Sequence, residues 1–216
     1  MISIIITAAG KQERWKKDMG FLKQLADVGG EPVMGRTIRQ IKQRNFPRPW
    51  VATHVLALER AAARFGAVPL YPSHRNVLCE TVLNTQRVWG DTTIIMLGDV
   101  CYSRRAMDTI LFDDSERPFV YYADSWETFA IRFDRSEQAN VIKHLQSVID
   151  DEVYPGSLRQ FFARYCGHKT GSIPMLPSMT YIPDYTKDFD TREDYVSFRR
   201  EIENTNRLDD LKDGRR

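Results

Sequence analysis

Apolar residues along the chain alternate between short continuous runs and stretches at helical spacing. Ile2 to Thr7 is a continuous run, β-branched except at Ser3, as expected of a strand buried on both faces. Pro32 then stands where the first turn of a helix tolerates proline, and Val33, Ile38 and Ile41 follow at roughly helical spacing to Arg44. Val51–Leu56 and Val68–Tyr71 read as further strands on either side of a short Ala-rich helix, Glu59–Phe65. A helix over Asn76–Trp89 carries Val77, Thr81, Val82, Thr85 and Val88 along one side. Thr92–Leu97 is again a buried-type strand, and Ser103 is placed to cap a helix that runs to Phe112. Phe119–Ala123 and Thr128–Phe133 read as a hairpin, and Ser136–Ile149 and Leu158–Tyr165 as helices. A Pro-rich passage from Ile173 to Pro183 precedes a last helix from Thr191.

Strand–helix alternation of this kind predicts an α/β fold, a three-layer α/β/α sandwich around a mostly parallel, Rossmann-like sheet. Ligands of such sheets gather at the carboxyl ends of the strands. Gly10, Asn76 and Asp99 each follow a strand directly, so their loops share one edge. No repeat or low-complexity block interrupts the pattern, which predicts one domain over residues 1–208 and a frayed polar tail over 209–216. A chain of 216 residues with 42% apolar and 11% aromatic residues has the material for a real core. Lys and Arg number 31 against 29 Asp and Glu, a net charge of +2, so no broad basic field for nucleic acid is expected. Cys79, Cys101 and Cys166 are odd in number and widely spaced, which suits reduced thiols rather than a disulfide framework or zinc site. The first apolar run is too short for a membrane span and lacks a basic flank, so a soluble cytoplasmic protein is expected. A homo-oligomer is left open.

The chemistry begins where the first strand ends. Thr7-Ala8-Ala9-Gly10 places small residues at a turn, so backbone N–H groups can approach a ligand closely, and Arg14 and Lys23 follow with positive charge. That combination suits the polyphosphate of a nucleotide. It is not a Walker A loop, because Gly10-Lys11 is followed by Gln12, nor a dinucleotide fingerprint, because residues 10–15 hold one glycine. A second cluster is Gly98-Asp99 at the end of a hydrophobic strand, where a carboxylate can bind Mg²⁺ at the sheet edge or simply stabilise a turn. In a third, Thr191 and Asp194 form nearly a capping box for the last helix, which leaves Asp190, one residue upstream, without a structural reason. His54, His74, His144 and His168 lack a spacing that argues for catalysis or metal.

Ala8-Ala9-Gly10-Lys11-Gln12-Glu13-Arg14-Trp15, Leu22-Lys23-Gln24-Leu25 and Gly30-Glu31-Pro32-Val33-Met34 resemble, in order and spacing, the first motif of nucleotidyltransferases that make nucleotide-activated sugars, polyols and cholines. Gln12 stands where that motif has a second glycine and Leu22 where it has a proline, so the loop is expected to be stiffer at Gln12 and Lys23 less rigidly presented. Gly98-Asp99, and Asp188-Phe189-Asp190-Thr191-Arg192-Glu193-Asp194-Tyr195, are similar to the family's two metal-binding stretches. The resemblance implies a nucleotide-diphospho-sugar transferase fold of GT-A-like type. It also implies Mg²⁺ on Asp99 and Asp190, with Asp188 in the same cluster. Arg14 and Lys23 are then catalytic, and Ala8, Ala9, Gly10, Lys11 and Gly98 bind nucleotide. Thr81-Val82 sits where cytidylyltransferases carry a Ser-Val, which makes Thr81 a candidate for base contact and, with Lys23-Gln24, favours CTP slightly.

The implied reaction joins the NMP of an NTP to a phosphorylated small metabolite and releases pyrophosphate. Lys23 would hold the acceptor phosphate and Arg14 the leaving β,γ-phosphates. In similar enzymes the late hairpin and the segment before the last helix wall the acceptor, which points to residues 121–134 and 154–181, including Trp126, Glu127, Arg132, Arg159 and Lys169. Tyr121, Tyr122, Trp126, Phe129 and Tyr154 could cage a quaternary ammonium or could simply be core, so a sugar phosphate, a polyol phosphate and phosphocholine all stay open. Two rival readings are a GT-A glycosyltransferase using a nucleotide-sugar donor and a non-catalytic nucleotide-binding module. The first expects Asp-x-Asp after the fourth strand, where this chain reads Gly98-Asp99-Val100-Cys101.

Overall fold

The computed structural model describes residues 1–10, 12, 15, 19–74, 77–125, 127–151, 156–168 and 178–204. Its strands are β1 (Ile2–Thr7), β2 (Trp50–Ala52), β3 (Val68–Leu70), β4 (Thr92–Leu97), β5 (Val100–Cys101), β6 (Phe119–Ala123), β7 (Thr128–Asp134), β8 (Met179–Tyr181) and β9 (Lys187–Asp188). Its helices are α1 (Val33–Gln43), α2 (Leu56–Phe65), α3 (Leu78–Leu83), α4 (Arg104–Leu111), α5 (Gln138–Ile149), α6 (Leu158–Tyr165) and α7 (Arg192–Asn204). Seven strands form one sheet in the order β3-β2-β1-β4-β7-β6-β8. The pairings β1–β2, β1–β4, β2–β3 and β6–β8 are parallel, and β7 alone runs against both its neighbours.

Successive side chains on a strand point to opposite faces, and that alternation sorts the sheet's apolar residues into two layers. Ile4, Ile6, Ile94, Met96, Val120 and Tyr122 pack with Met34, Ile38 and Ile41 of α1, Leu58 and Ala62 of α2, and Met107 and Ile110 of α4. Ile5, Ile95, Phe119, Tyr121, Ile131 and Phe133 pack with Val82 of α3, Val141, Leu145 and Val148 of α5, and Phe161 and Phe162 of α6. The sheet is therefore covered on both faces, the expected three-layer sandwich. A third apolar cluster joins Trp15, Ala26, Val28, Val33 and Cys101 to Phe189, Tyr195, Phe198 and Ile202. It ties the segment after β1 to α7.

Several boundaries differ from the pattern of the sequence. The strand expected over Val51–Leu56 ends at Ala52, because the Thr53 hydroxyl accepts the Val55 N–H at 3.2 Å and turns the chain into α2. The helix expected over Asn76–Trp89 is divided into α3 and a 3₁₀ turn, Gln86–Val88. At the break, Asn84 Nδ2 donates to the Glu80 carbonyl at 2.8 Å and Thr85 Oγ1 to the Val82 carbonyl at 2.6 Å, local bonds that compete with the helical ladder. The Pro-rich passage from Ile173 to Pro183 contains β8. The two-residue strands β5 and β9 pair antiparallel, Val100 with Asp188 and Cys101 with Lys187. Arg75, Asn76 and the tail over 209–216 lie outside the described residues. Among the described residues no helix is long and apolar enough to cross a membrane.

At the carboxyl end of β4 the sheet opens. The β4–β7 register ends at Met96 and Ala130, and the buried Tyr102 hydroxyl sits beyond it. That hydroxyl accepts the Leu97 N–H at 3.0 Å and donates to the Phe129 carbonyl at 2.6 Å. One phenol thus replaces the next rung of the ladder and holds the two strand ends apart. Tyr102→Phe leaves a buried N–H and C=O unpaired and should cost about 1–3 kcal/mol, read as a lower urea midpoint with an unchanged slope.

Candidate active site

The order of the strands places a switch point between β1 and β4. The chain moves outward from β1 through β2 to β3, then returns to β4 on the other side of β1. Ligands of open α/β sheets bind outside the carboxyl ends at such a point. Ala8 and Ala9 are buried there and Gly10 is exposed, with open space where a side chain would begin. Gly98 has a different reason to be small. Its N–H donates to the Thr7 carbonyl at 2.9 Å, and a Cβ at this position would lie 2.6 Å from that carbonyl oxygen.

Lys23 opens a 3₁₀ turn, Lys23–Leu25, and is buried. Its Nζ lies 2.8 Å from Asp190 Oδ1, 3.3 Å from Asp99 Oδ2 and 3.5 Å from Asp188 Oδ1. Burial works against the charge of Lys23, yet Asp99, Asp188 and Asp190 outweigh it and hold the ammonium above its ordinary pKa. For Asp188, burial and the nearby Asp99 push the carboxyl well above the usual range, with Lys23 pulling the other way. The cluster opens outward at Asp190, whose side chain is 51% exposed against 7% for Lys23.

Each member is held by a local device. Asp99 occupies the tight turn between β4 and β5, and the β5–β9 ribbon lays Asp188 opposite Val100. Between the two late aspartates, Phe189 is fully buried against Tyr195 and Phe198, with ring centroids at 5.7 and 4.9 Å. Extended backbone alternates its side chains, so anchoring Phe189 in the apolar cluster turns Asp188 and Asp190 toward Lys23. Thr191 and Asp194 serve the helix, as their spacing predicts. Asp194 N–H donates to Thr191 Oγ1 at 3.1 Å and Thr191 N–H to Asp194 Oδ2 at 2.9 Å. Asp190 is left to the cluster.

Leu22 stands where the resembled motif has a proline. Leu22 takes an extended conformation with φ −82°, near the value that proline fixes, and packs against the core layer of α1. Gln12, with φ 53°, reaches across and accepts the Lys23 N–H on Oε1 at 2.8 Å.

Thr81 is buried on α3 with its hydroxyl 3.4 Å from the Val77 carbonyl, and no hydrogen bond or ion pair joins it to the Lys23 cluster. Arg14, Lys11, Trp126, Tyr154 and Lys169 lie outside the described residues. Of the aromatics weighed as a cage, Tyr121, Tyr122 and Phe129 are core: Tyr121 stacks on Phe162 at 4.0 Å and Tyr122 donates to Asp113 Oδ2 at 2.7 Å. Arg132 faces Asp113 and Asp134 at 3.6 and 3.7 Å. Glu127 has a role that sequence reasoning missed. Its carboxylate accepts Lys187 Nζ at 2.5 Å and the Asp188 N–H at 3.0 Å, which clamps β9 to the β6–β7 turn. An acidic residue at a hairpin tip carries no sequence signal for a partner 61 residues on.

No family model and no curated protein matches the sequence. Solved structures do share its fold, and they are nucleotidyltransferases. A nucleotidyl transferase from Methanothermobacter aligns over 95% of this chain and 99% of its own, with a TM-score of 0.67 and 15% identity. The 4-diphosphocytidyl-2C-methyl-D-erythritol synthase of Anaerococcus prevotii aligns over 94% and 98%, with a TM-score of 0.66 and 11% identity. The CTP:phosphocholine cytidylyltransferase of Streptococcus pneumoniae aligns over 93% and 99%, with a TM-score of 0.64 and 12% identity. The chain thus has the Rossmann-like fold of these nucleotidyltransferases over nearly its whole length.

The two glycines of the edge should respond differently to one methyl group. Gly98→Ala forces β1 and β4 apart and should lower stability by about 1–3 kcal/mol. Gly10→Ala meets open space and should stay within about 0.5 kcal/mol of the parent in the same urea titration.

Proposed function

We propose that this chain is a Mg²⁺-dependent nucleotidyltransferase that joins the NMP of an NTP to a phosphorylated small metabolite and releases pyrophosphate. The observation that carries this reading is the Lys23 ammonium set among Asp99, Asp188 and Asp190 at the switch point of the sheet. A cation held beside carboxylates is what phosphoryl chemistry asks of a protein, since positioning and charge neutralisation carry such reactions.

The donor set fits Mg²⁺. Its oxygens are hard carboxylates, and Asp188 Oδ1 is buried without a hydrogen-bond donor. Among the described residues no three acidic, His or Cys side chains form a preformed metal cage. That is in keeping with an ion held by one or two carboxylates and completed by substrate phosphates. Asp99 and Asp190 would hold the ion, with Asp188 beside them, and when bound it would offset the charge that develops on the α-phosphate. Lys23 would hold an acceptor phosphate oxygen against the α-phosphorus. As that oxygen forms its bond to phosphorus, the bond to the β-phosphate oxygen breaks and pyrophosphate leaves. The open backbone at Gly10, with Arg14, is our candidate cradle for the leaving phosphates. No side-chain nucleophile is needed.

The base and the acceptor are the finer part of the proposal. The two residues that favour CTP are engaged within the protein, Thr81 with Val77 and Gln24 with Gln12. With Tyr121, Tyr122 and Phe129 in the core, a caged quaternary ammonium draws no support from them, and a sugar or polyol phosphate stands level with phosphocholine.

The test is pyrophosphate release with Mg²⁺ across CTP, UTP, GTP, ATP and dTTP, against sugar-1-phosphates, polyol phosphates and phosphocholine. One nucleotide–acceptor pair should give turnover that EDTA abolishes and Mg²⁺ restores. Lys23→Ala and Asp190→Ala should each lower kcat by about 10²–10³-fold. Asp99→Asn should lower the rate steeply in an enzyme, whereas a binding module would lose mainly metal-dependent affinity. A wild-type protein that binds an NTP without turning it over sinks the enzyme reading, and one that binds none sinks the whole proposal.

A further inference from the structure

We propose that Gln12 is a positioning residue that sets Lys23 on the aspartate cluster from eleven residues away, a role that rests on the reading of Lys23 given above. Lys23 begins a 3₁₀ turn, and Leu22, which precedes it, has no side-chain group to cap that turn. The Lys23 N–H would point at nothing polar without help. Gln12 supplies the acceptor through Oε1 at 2.8 Å. The same carboxamide donates through Nε2 to Gln24 Oε1 at 2.6 Å, so both ends of the amide are bonded to successive residues of the turn. Gln24 is buried, which fixes the far end of this bridge in the protein.

The backbone of Gln12 underlines the point. Its φ of 53° lies in the left-handed region, which glycine enters without strain and a side chain does not. The chain nevertheless carries a glutamine there, and among the described residues its side chain bonds Lys23 and Gln24. Glutamine suits the task because one planar group offers an acceptor to a main-chain N–H and a donor to a neighbouring amide. Lys23 carries the ammonium among three carboxylates, so the backbone position of Lys23 sets where that charge can stand.

Three substitutions separate positioning from a merely structural loop role. Gln12→Gly relieves the backbone and removes the bridge. Its melting temperature should equal or exceed the parent's, while the Lys23 amide exchanges with solvent at least about tenfold faster by NMR. Its kcat for pyrophosphate release should fall about tenfold or more with little change in KM for the nucleotide. Gln12→Ala should match it in exchange and kcat. Gln12→Glu keeps an oxygen for the Lys23 N–H and should restore slow exchange and kcat to within about threefold of the parent. Equal Lys23 exchange in the parent and Gln12→Gly overturns the proposal, as does fast exchange with unchanged kcat. A parent that releases no pyrophosphate with any substrate pair overturns the proposed reaction and this role with it, while the exchange data still decide whether the bridge exists.

Discussion

A buried ammonium cannot stand alone. Taking the Lys23 side chain out of water costs several kcal/mol, and that cost is offset only if carboxylates meet it at close range. They come from residues 99, 188 and 190, so a single electrostatic constraint ties the beginning, middle and end of the chain to one point. The reverse also holds. Three carboxyl groups crowded together would repel one another without a cation between them, and at Asp188 burial first and the neighbouring Asp99 second push the carboxyl above its usual range. Neither partner is stable in this place without the other, which makes the cluster a joint requirement on several distant loops.

The surrounding structure can be understood as the means of meeting that requirement. Tyr102 spreads the ends of β4 and β7 two residues beyond which Asp99 turns. The β5–β9 ribbon then sets Asp188 beside Val100, and Glu127 holds the ribbon from the hairpin side. Phe189 supplies the apolar anchor that orients the two flanking aspartates, and Tyr195 adds to the hold by donating its hydroxyl to the Asp27 carbonyl at 2.6 Å. Most of these contacts are hydrophobic or main-chain, and they cost little when water reaches the charged tips. The rigidity sits behind the charges, not among them.

The sandwich was legible because its signals are long. Ile2–Thr7 and Thr92–Leu97 are six-residue segments of mostly apolar and β-branched residues, and the structure keeps both at those limits. Leu158–Tyr165 and the Ser103 cap were equally clear, since a helix face and a capping hydroxyl each announce themselves locally; Ser103 Oγ accepts the Ala106 N–H at 2.8 Å. The pairing of Gly98-Asp99 with Asp188 and Asp190 was expected from motif resemblance, not from any periodic pattern. The ribbon that achieves it is two residues long on each side, too short for a period to register. The Glu127 clamp and the Gln12 bridge were also invisible, because a single polar residue does not say which distant N–H it will meet. At Gln12 the sequence shows a side chain in place of glycine and predicts a stiffer loop, but nothing in it says that this side chain accepts the Lys23 N–H.

The Lys23–Asp190 bond joins residues 167 apart in the chain. A polypeptide leaves the ribosome from its N-terminus, so Lys23 precedes two of its three counter-charges, Asp188 and Asp190, by most of synthesis. Every strand from β1 to β7 precedes residue 135, whereas the last aspartates arrive some fifty residues later. A chain that stops before residue 188 carries the sequence of every strand from β1 to β8, yet lacks two of the three carboxylates that meet Lys23. The charge cluster is the last part of this architecture that the growing polypeptide can complete.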